Sequence, residues 1–248
     1  KTKPDIDLSI YKHICKNVAV MQEGPHWYFQ DYSIDKQFHY YNTLMEADWV
    51  YCHNKSDVNY YKGLGCEDVR VMRSLMIPED LIPRNEWGDA TIIGGNFVSW
   101  YGGFDSYIVA REIGDPITAP SMGRKQEQES DIEDIQYLPY MNWREWINCL
   151  SQFNIGVHLM RTHAAGTFAM NCAFHGIPCV GYEGLDTQET LYPYLSVKVG
   201  DLEKAKYLAI ELKNDEGFYQ MCSNTSRAMF KKFYTEESWL ENWNIQWK

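Results

Sequence analysis

FNIGVHLMRTHAAGTFAMNCAFHGIPCVGYE, residues 153–183, is the stretch that decides the fold prediction. An apolar strand, a loop of small residues, a helix and a second apolar strand follow one another in it, which is the order of a βαβ unit. Gly166 and Thr167 lie where the helix begins, so free backbone N–H groups and the positive end of the helix dipole face the loop. The loop therefore suits a diphosphate. The alternative is an ordinary βαβ turn whose small residues only allow close packing.

Outside this stretch, apolar runs of strand length alternate with helix-length periodic segments, as in mainly parallel α/β sheets. Pro78, Pro83 and Gly88 lie among charged residues and predict a linker. We therefore divide the chain into a partial N-terminal α/β domain (1–82), a C-terminal α/β domain (83–234) and a final helix (235–248). The predicted strands are 17–21, 49–52, 69–72, 90–93, 117–119, 135–138, 155–160 and 178–181, and the predicted helices are 34–47, 57–62, 104–113, 142–153, 167–174 and 236–247.

The composition of the whole chain excludes several classes of protein. Its 248 residues, 45% of them hydrophobic, suffice for a real core, and the formal net charge of −11 argues against direct binding to nucleic acid. No run approaches the roughly 20 apolar residues that span a bilayer, and no signal-peptide segment follows the polar start. Seven scattered cysteines without a CxxC pair indicate reduced thiols. We expect a cytoplasmic enzyme or binding protein without a transmembrane segment.

Several motifs together resemble the donor-site domain of GT-B glycosyltransferases, especially the retaining family-4 group. The strand, small-residue turn and helix that precede HGIPCV (175–180) are similar to that family's donor segment. DATIIGG (89–95) resembles the first strand and glycine turn of its C-terminal domain, and YLPY (137–140) resembles the segment that lines the nucleobase. The tryptophan-rich last helix resembles the C-terminal helix with which that family returns the chain to its first domain. The resemblance covers about residues 15–248 and implies two Rossmann-like doubly wound domains, the N-terminal one shortened or incomplete.

The chain departs from the family pattern in the donor domain. Two glutamates bracket the donor helix in the family, and the matching positions here are His163 and Asn171. Asn171 can still hydrogen-bond a ribose, although without the strength of a charged group. The phosphate-binding arginine and lysine of the family fall at Asn96 and Tyr101, so their cationic clamp is absent. The donor-binding residues that we predict are Gly95, Asn96, Arg124, Tyr140, Arg161, His163, Ala165, Gly166, Thr167 and Asn171.

One side chain in that set, Arg161, has an open alternative. Arg161 follows the predicted strand 155–160, and it is either a substitute phosphate clamp or a surface arginine paired with an acid. Arg124 and Lys125 are the other candidate substitutes. His158 alternates within the same apolar strand and is expected to be a core or cleft histidine with its hydrogen bonds satisfied.

The first domain offers fewer candidates. VAVMQEG (18–24) resembles the strand and loop before the family's acceptor site, but Gln22 replaces the usual histidine. Glu23 and His26 lie close by, and we predict these two as the catalytic residues.

No metal or resident cofactor is predicted. Asp5 and Asp7 have the DxD spacing of metal-dependent glycosyltransferases, but they do not follow an apolar strand, and a surface acidic pair explains them better. The seven histidines form no HxH or HxxxH pair, which gives a zinc site little support.

The resemblance implies transfer of a sugar, with retention, from a nucleoside diphosphate sugar to a carbohydrate or other hydroxyl acceptor. We expect this transfer to need no divalent metal, because no carboxylate pair is placed to bridge a diphosphate and the helix start supplies positive potential. Because the family's charged residues are missing, a binding protein that has lost turnover is the first alternative. A nucleotide-sugar epimerase of the same architecture is the second.

Overall fold

The computed structural model describes residues 7–98, 100–120 and 127–246. The first unit consists of α1 (Leu8–Lys12), β1 (Ala19–Gln22), α2 (Ile34–Glu46), β2 (Trp49–Cys52), α3 (Lys55–Leu64) and β3 (Val69–Val71). The second unit consists of β4 (Ala90–Ile93), α4 (Gly103–Ile113), β5 (Ile117–Ala119), β6 (Ile135–Tyr137), α5 (Trp143–Leu150), β7 (Phe153–His158), α6 (Thr167–His175), β8 (Cys179–Tyr182), α7 (Asp186–Leu191), β9 (Ser196–Val197), α8 (Leu202–Asn214) and α9 (Glu216–Phe233). The chain then continues into α10 (Glu236–Gln246). Every helix within the described ranges is too short or too polar to span a bilayer.

The first sheet is parallel, in the order β1-β2-β3, and its central strand is buried on both faces. Successive side chains of a strand point to opposite faces. Val50 accordingly packs in the cluster under α2 and α3, whereas Tyr51 packs in a second cluster on the other face. Trp239 and Trp243 of α10 complete this second cluster. The last helix therefore covers one face of the first sheet.

The second sheet is parallel throughout, in the order β6-β5-β4-β7-β8-β9. The chain runs outward from β4 to β6, then returns to place β7 on the other side of β4 and continues to β9. Thr91 pairs with Ile155 and Ile93 pairs with Val157 at the centre of the sheet. Helices cover both faces of these buried strands, as a doubly wound sheet requires. The carboxyl ends of β4 and β7 thus border the crevice where the strand order reverses.

The linker joins the second unit through buried polar contacts. The Met76 N–H donates to the Tyr234 carbonyl at 3.1 Å. Arg84, only 7% exposed, donates from Nε to the His175 carbonyl at 3.1 Å and from its other nitrogens to Phe153, Gly176 and the Tyr219 hydroxyl.

Most predicted elements are confirmed. The errors are shifts of element ends and three short elements that were not predicted, α1, α7 and β9. The helix predicted over 57–62 occupies Lys55–Leu64, and it continues past Gly63 because Gly65 at φ 109° supplies the left-handed C-cap. The helix predicted over 142–153 ends at Leu150. The strand predicted over 155–160 occupies Phe153–His158, because the chain turns directly after α5 and Phe153 pairs with Ala90 of β4. The register then shifts at Asn154, which has no partner on β4.

Candidate functional site at the strand-order reversal

The candidate site lies at the carboxyl ends of β4 and β7. Open parallel sheets bind ligands in the crevice at such a point because the loops after the two strands diverge. Any residue other than glycine would place a Cβ atom at positions 94 and 95. That atom would lie 2.5 Å from Cγ of His158 at position 94, and 2.6 Å from the Tyr101 carbonyl oxygen at position 95. Only glycine permits these close approaches. The Gly94-Gly95 turn therefore shapes one side of the crevice.

His158 ends β7 beside this turn and is 9% exposed. Its ring lies 5.1 Å from that of Phe168, centroid to centroid. The expectation that its hydrogen bonds are satisfied is wrong for Nε2, which has no partner among the described residues. Burial lowers the pKa of His158 to about 4, so the ring is neutral at pH 7.

The start of α6 forms the other side of the crevice. The helix begins at Thr167, as the sequence predicts, and Gly166 before it has a φ of 69°. A Cβ at Gly166 would lie 2.6 Å from Cβ of Thr187. The Ala165 carbonyl is fixed by Oγ of Ser74 at 2.7 Å and by Oγ1 of Thr187 at 3.1 Å. A well-supported loop thus presents the first-turn N–H groups of α6 at the junction of the two units.

Two other predicted donor residues, Asn96 and Tyr140, lie at the same edge of the sheet. Asn96 is 2% exposed; its Oδ1 accepts from the Val98 N–H at 3.4 Å, and its Nδ2 has no partner among the described residues. Tyr140 follows β6 and is 82% exposed. Arg124 lies outside the described residues.

Arg161 follows β7 and forms an ion pair. Its Nη2 donates to Oδ2 of Asp105 at 2.9 Å, and the Tyr182 hydroxyl donates to the same oxygen at 2.8 Å. The hydrogen bond and charge of Asp105 raise the pKa of Arg161. The guanidinium remains largely exposed at the sheet edge. The pairing that the sequence left as an alternative is present, and any anion there competes with Asp105.

Asn171 lies inside the helical layer rather than at the open edge. It is 7% exposed on α6. In the amide orientation that satisfies both neighbours, it accepts from Nε1 of Trp146 at 3.0 Å and donates to the Thr167 carbonyl at 3.2 Å. These contacts join α5 to α6, and they give the side chain a role in packing.

The predicted catalytic residues follow β1 in the first unit. Glu23 is exposed. Gln22, which stands where the family has histidine, is buried and accepts a hydrogen bond from the Tyr40 hydroxyl. His26 is half-buried, and its Nδ1 lies 2.9 Å from Oδ1 of Asp57.

His26, Asp57 and His163 form a cluster that joins the two units. His163 Nδ1 lies 3.6 Å from the same Asp57 oxygen and 3.0 Å from Oγ of Ser56. Burial alone would raise the pKa of Asp57, but hydrogen bonds from His163, His26 and Asn54 lower it below its usual value. The interaction with Asp57 raises the pKa of His163, although burial of the ring acts in the opposite direction.

A cavity of about 440 Å³ opens beside this cluster, between the two units. Ser56 and Gly184, which line it, both approach the His163 ring; a Cβ at Gly184 would lie 2.5 Å from Nε2 of His163. The cavity is lined by Lys55, Ser56, Gly184, Asp186, Glu189 and Thr190.

Sequence reasoning missed Asn54, Asp57 and Ser74. Asn54 donates to the Ala164 carbonyl at 3.1 Å and accepts from the Asp186 N–H at 3.0 Å, so it fastens the small-residue loop to the first unit. A usable signal was present, because HNKSD (53–57) is a polar run that directly follows the buried strand β2, where parallel sheets place functional side chains.

Comparisons with known proteins identify the fold. No protein-family model and no curated protein matches the sequence. A mutant of S. aureus TarM, solved with fondaparinux, alpha-GlcNAc-glycerol and UDP, superimposes with a TM-score of 0.73 at 11% identity, covering 92% of this chain and 50% of that one. Anabaena HepE with UDP-glucose gives 0.74 at 10%, covering 96% and 75%. Sucrose-phosphate synthase from Thermosynechococcus elongatus gives 0.69 at 13%, covering 88% and 62%.

These likenesses establish an architecture at low sequence identity. The chain spans about half the length of TarM. It has the GT-B arrangement of two Rossmann-like units, here with a three-stranded first sheet and a six-stranded second sheet.

Proposed function

We propose that the protein transfers a sugar from a nucleoside diphosphate sugar to a hydroxyl acceptor. The observation that carries the proposal is the start of α6, whose first-turn N–H groups lie at the strand-order reversal and at the junction with the first unit. Structures of the same fold have been solved with UDP in TarM and with UDP-glucose in HepE.

The second unit holds the donor in this proposal. The diphosphate lies against Ala165, Gly166 and Thr167, and the nucleoside lies between the Gly95 turn and the segment that ends at Tyr140. Preorganised N–H donors of this kind stabilise a departing anion by several kcal/mol, on the order of 3 for a single donor. We expect no requirement for Mg²⁺ or Mn²⁺, because these N–H groups supply the positive potential.

The first unit receives the acceptor. Glu23 and His26 are the residues that we propose to act on its hydroxyl, and Asp57 orients the His26 ring through the 2.9 Å hydrogen bond to Nδ1. Retention of anomeric configuration is part of the proposal and rests on the resemblance to the retaining family-4 enzymes.

The test begins with melting temperatures in a panel of nucleoside diphosphates and the matching nucleosides. A ligand that binds only the folded state raises the melting temperature, so we expect one diphosphate to stabilise the protein. The corresponding nucleotide sugar is then incubated with hydroxyl acceptors and the products are analysed by mass spectrometry. The absence of any nucleotide effect, or a nucleotide bound away from α6, would contradict the proposal.

Arg161 gives a sharper test of the donor site. Arg161→Ala should weaken diphosphate binding by about 1.5–3 kcal/mol, the range for hydrogen bonds to charged groups, and spare nucleoside binding. Arg111→Ala is the control, because Arg111 is also an exposed arginine, 3.9 Å from Asp134. Equal losses for both ligands would indicate misfolding, and no loss would leave Arg161 as the partner of Asp105 alone.

A second candidate is a protein that binds the nucleotide without turnover. The contacts of Arg161 with Asp105 and of Asn171 with Trp146 favour it, because each occupies a side chain expected at the donor. A diphosphate that raises the melting temperature without any sugar transfer or donor hydrolysis would support this candidate.

A further inference from the structure

His26, Asp57 and His163 come from three separate segments and bring one ligand atom each within 4.8 Å of the others. The Asp57 side chain is 4% exposed, and the two histidine side chains are 29% and 28% exposed. The carboxylate is therefore held inside the protein, while both rings remain reachable from solvent.

The spacing of these atoms fits a small cation. Zinc binds imidazole nitrogen and carboxylate oxygen at roughly 2.0–2.2 Å in a tetrahedron, which places two ligand atoms on one ion about 3.3 Å apart. The distances from Asp57 Oδ1 to Nδ1 of His26 and of His163, 2.9 and 3.6 Å, lie on either side of this value. Small ring movements would therefore seat the ion.

The surroundings support the ligand set. Asn54 Nδ2 donates to Oδ2 of Asp57 at 3.3 Å, which orients the carboxylate and leaves Oδ1 toward the two rings. Hydrogen bonds of this kind commonly orient metal ligands. The neighbouring cavity, through Ser56 and Gly184, gives an ion a path to His163.

We propose that His26, Asp57 and His163 form a zinc site, with the fourth coordination position open toward the cleft. Two histidines, one carboxylate and an open position are a ligand set that zinc uses in proteins. Two ligands belong to the first unit and one to the second, so the ion fastens the units together. This inference concerns binding and does not depend on sugar transfer. If the proposed function holds, zinc inhibits transfer, because it engages Nδ1 of His26.

The experiment titrates zinc into the full chain by calorimetry in the presence of a competing chelator. We expect one equivalent to bind, and we expect His26→Ala and His163→Ala to weaken binding by more than about 100-fold, since loss of an outer partner alone costs about 10–100-fold. His13→Ala is the control, because His13 is exposed on the end of α1. Unchanged affinity in both ligand variants would overturn the proposal.

Cobalt distinguishes this site from the free cysteines, of which Cys52 is the nearest in sequence to Asp57. Nitrogen and oxygen ligands give no thiolate charge-transfer band, so such a band would assign the metal to cysteine and refute the site.

A measurement on the unsubstituted protein covers the case in which the histidine variants misfold. Histidine modification mapped by mass spectrometry should show that zinc protects His26 and His163 but not His13. Equal modification with and without zinc would also refute the site.

Discussion

The two sheets differ in how completely they are buried. The six strands of the second sheet share one continuous core, in which Ile92, Ile155 and Val157 are fully inaccessible. The three strands of the first sheet lie between two small clusters, and its helices leave Ile34 and Phe38 more than half exposed. A rigid frame thus carries the loops around α6, whereas the first unit contributes a few polar side chains to the site, such as Asp57 of α3 and Ser74 after β3.

The largest expected effect concerns the linker that joins the two sheets. Arg84→Ala should cost about 3–5 kcal/mol of unfolding free energy, because it removes four buried hydrogen bonds at about 1 kcal/mol each. Their acceptors are the carbonyls of Phe153, His175 and Gly176 and the Tyr219 hydroxyl. Arg227 and Ser223 still donate to the carbonyls of His175 and Gly176 in the variant. Chemical denaturation measures the loss. Arg144→Ala is the matched control, because Arg144 pairs with Asp80 at the surface and should cost below about 1 kcal/mol. Similar losses in the two variants would show that burial of Arg84 is unimportant.

Core truncations test whether the two units are separately stable. Leu44→Ala in the first unit and Ile155→Ala in the second should each cost about 2–5 kcal/mol, because both side chains are almost fully buried. Hydrogen exchange is followed in β2 and β7. We expect Leu44→Ala to accelerate exchange in β2 far more than in β7. If Leu44→Ala accelerated hydrogen exchange equally in β2 and β7, the protein would unfold as one cooperative unit.

Acid should destabilise the second unit, because it holds two buried histidines whose pKa values are lowered. Burial lowers the pKa of His158 and of His175 to about 4, and nearby Arg84 adds to the effect at His175. The unfolded state binds their protons first, so stability present above pH 6.5 is lost as the pH falls toward 4, by about 1.4 kcal/mol per pH unit for each histidine.

Denaturation between pH 6.5 and 4 measures this dependence. His158→Gln should remove about half of the histidine contribution to the slope, whereas His13→Gln should leave the slope unchanged. A slope that His158→Gln does not alter would show that His158 is already protonated or exposed.

The smallest expected effect is on nucleotide binding. A pair of glycine substitutions distinguishes a change in the shape of the α6 start from backbone strain alone. Gly166→Ala and Gly200→Ala both place a side chain at positive φ, at a cost of about 1–2 kcal/mol. Only Gly166→Ala also meets a neighbour, because nothing lies within 4 Å of a Cβ at Gly200. Under the proposed function, Gly166→Ala alone should weaken nucleotide binding, measured by melting temperature. Equal nucleotide affinity in the two variants would remove the α6 start from the donor site.

The sequence predicts the frame well where apolar runs end at clear turn signals. Trp49–Cys52, Ala90–Ile93 and Ile117–Ala119 are strands with the predicted ends, and α6 begins at the predicted residue. The start of β7 was wrong because Asn154 interrupts the apolar run, and only pairing with β4 makes that segment a strand.

The candidate site is less predictable, because its contacts join distant segments. Spacing along the chain locates the Gly94 and Gly166 turns, which are local features. It does not locate the cluster of His26, Asp57 and His163, since a search for short ligand motifs considers only neighbours in sequence. The ion pair of Arg161 with Asp105 depends likewise on how α4 packs beside β7.

The packing of α10 on the first sheet has a consequence for biosynthesis. Trp239 donates from Nε1 to the Arg73 carbonyl at 2.9 Å, and the Trp243 ring stacks 5.9 Å from that of Tyr51, centroid to centroid. Domains usually fold in the order in which the ribosome delivers them. Here β1 to β3 leave the ribosome before the second unit does, but one face of their sheet stays uncovered until the α10 tryptophans have emerged. The sheet that is translated before the second unit is therefore covered only after that unit, and a nascent chain stalled before α10 should expose Tyr51 and Met72 to chaperones.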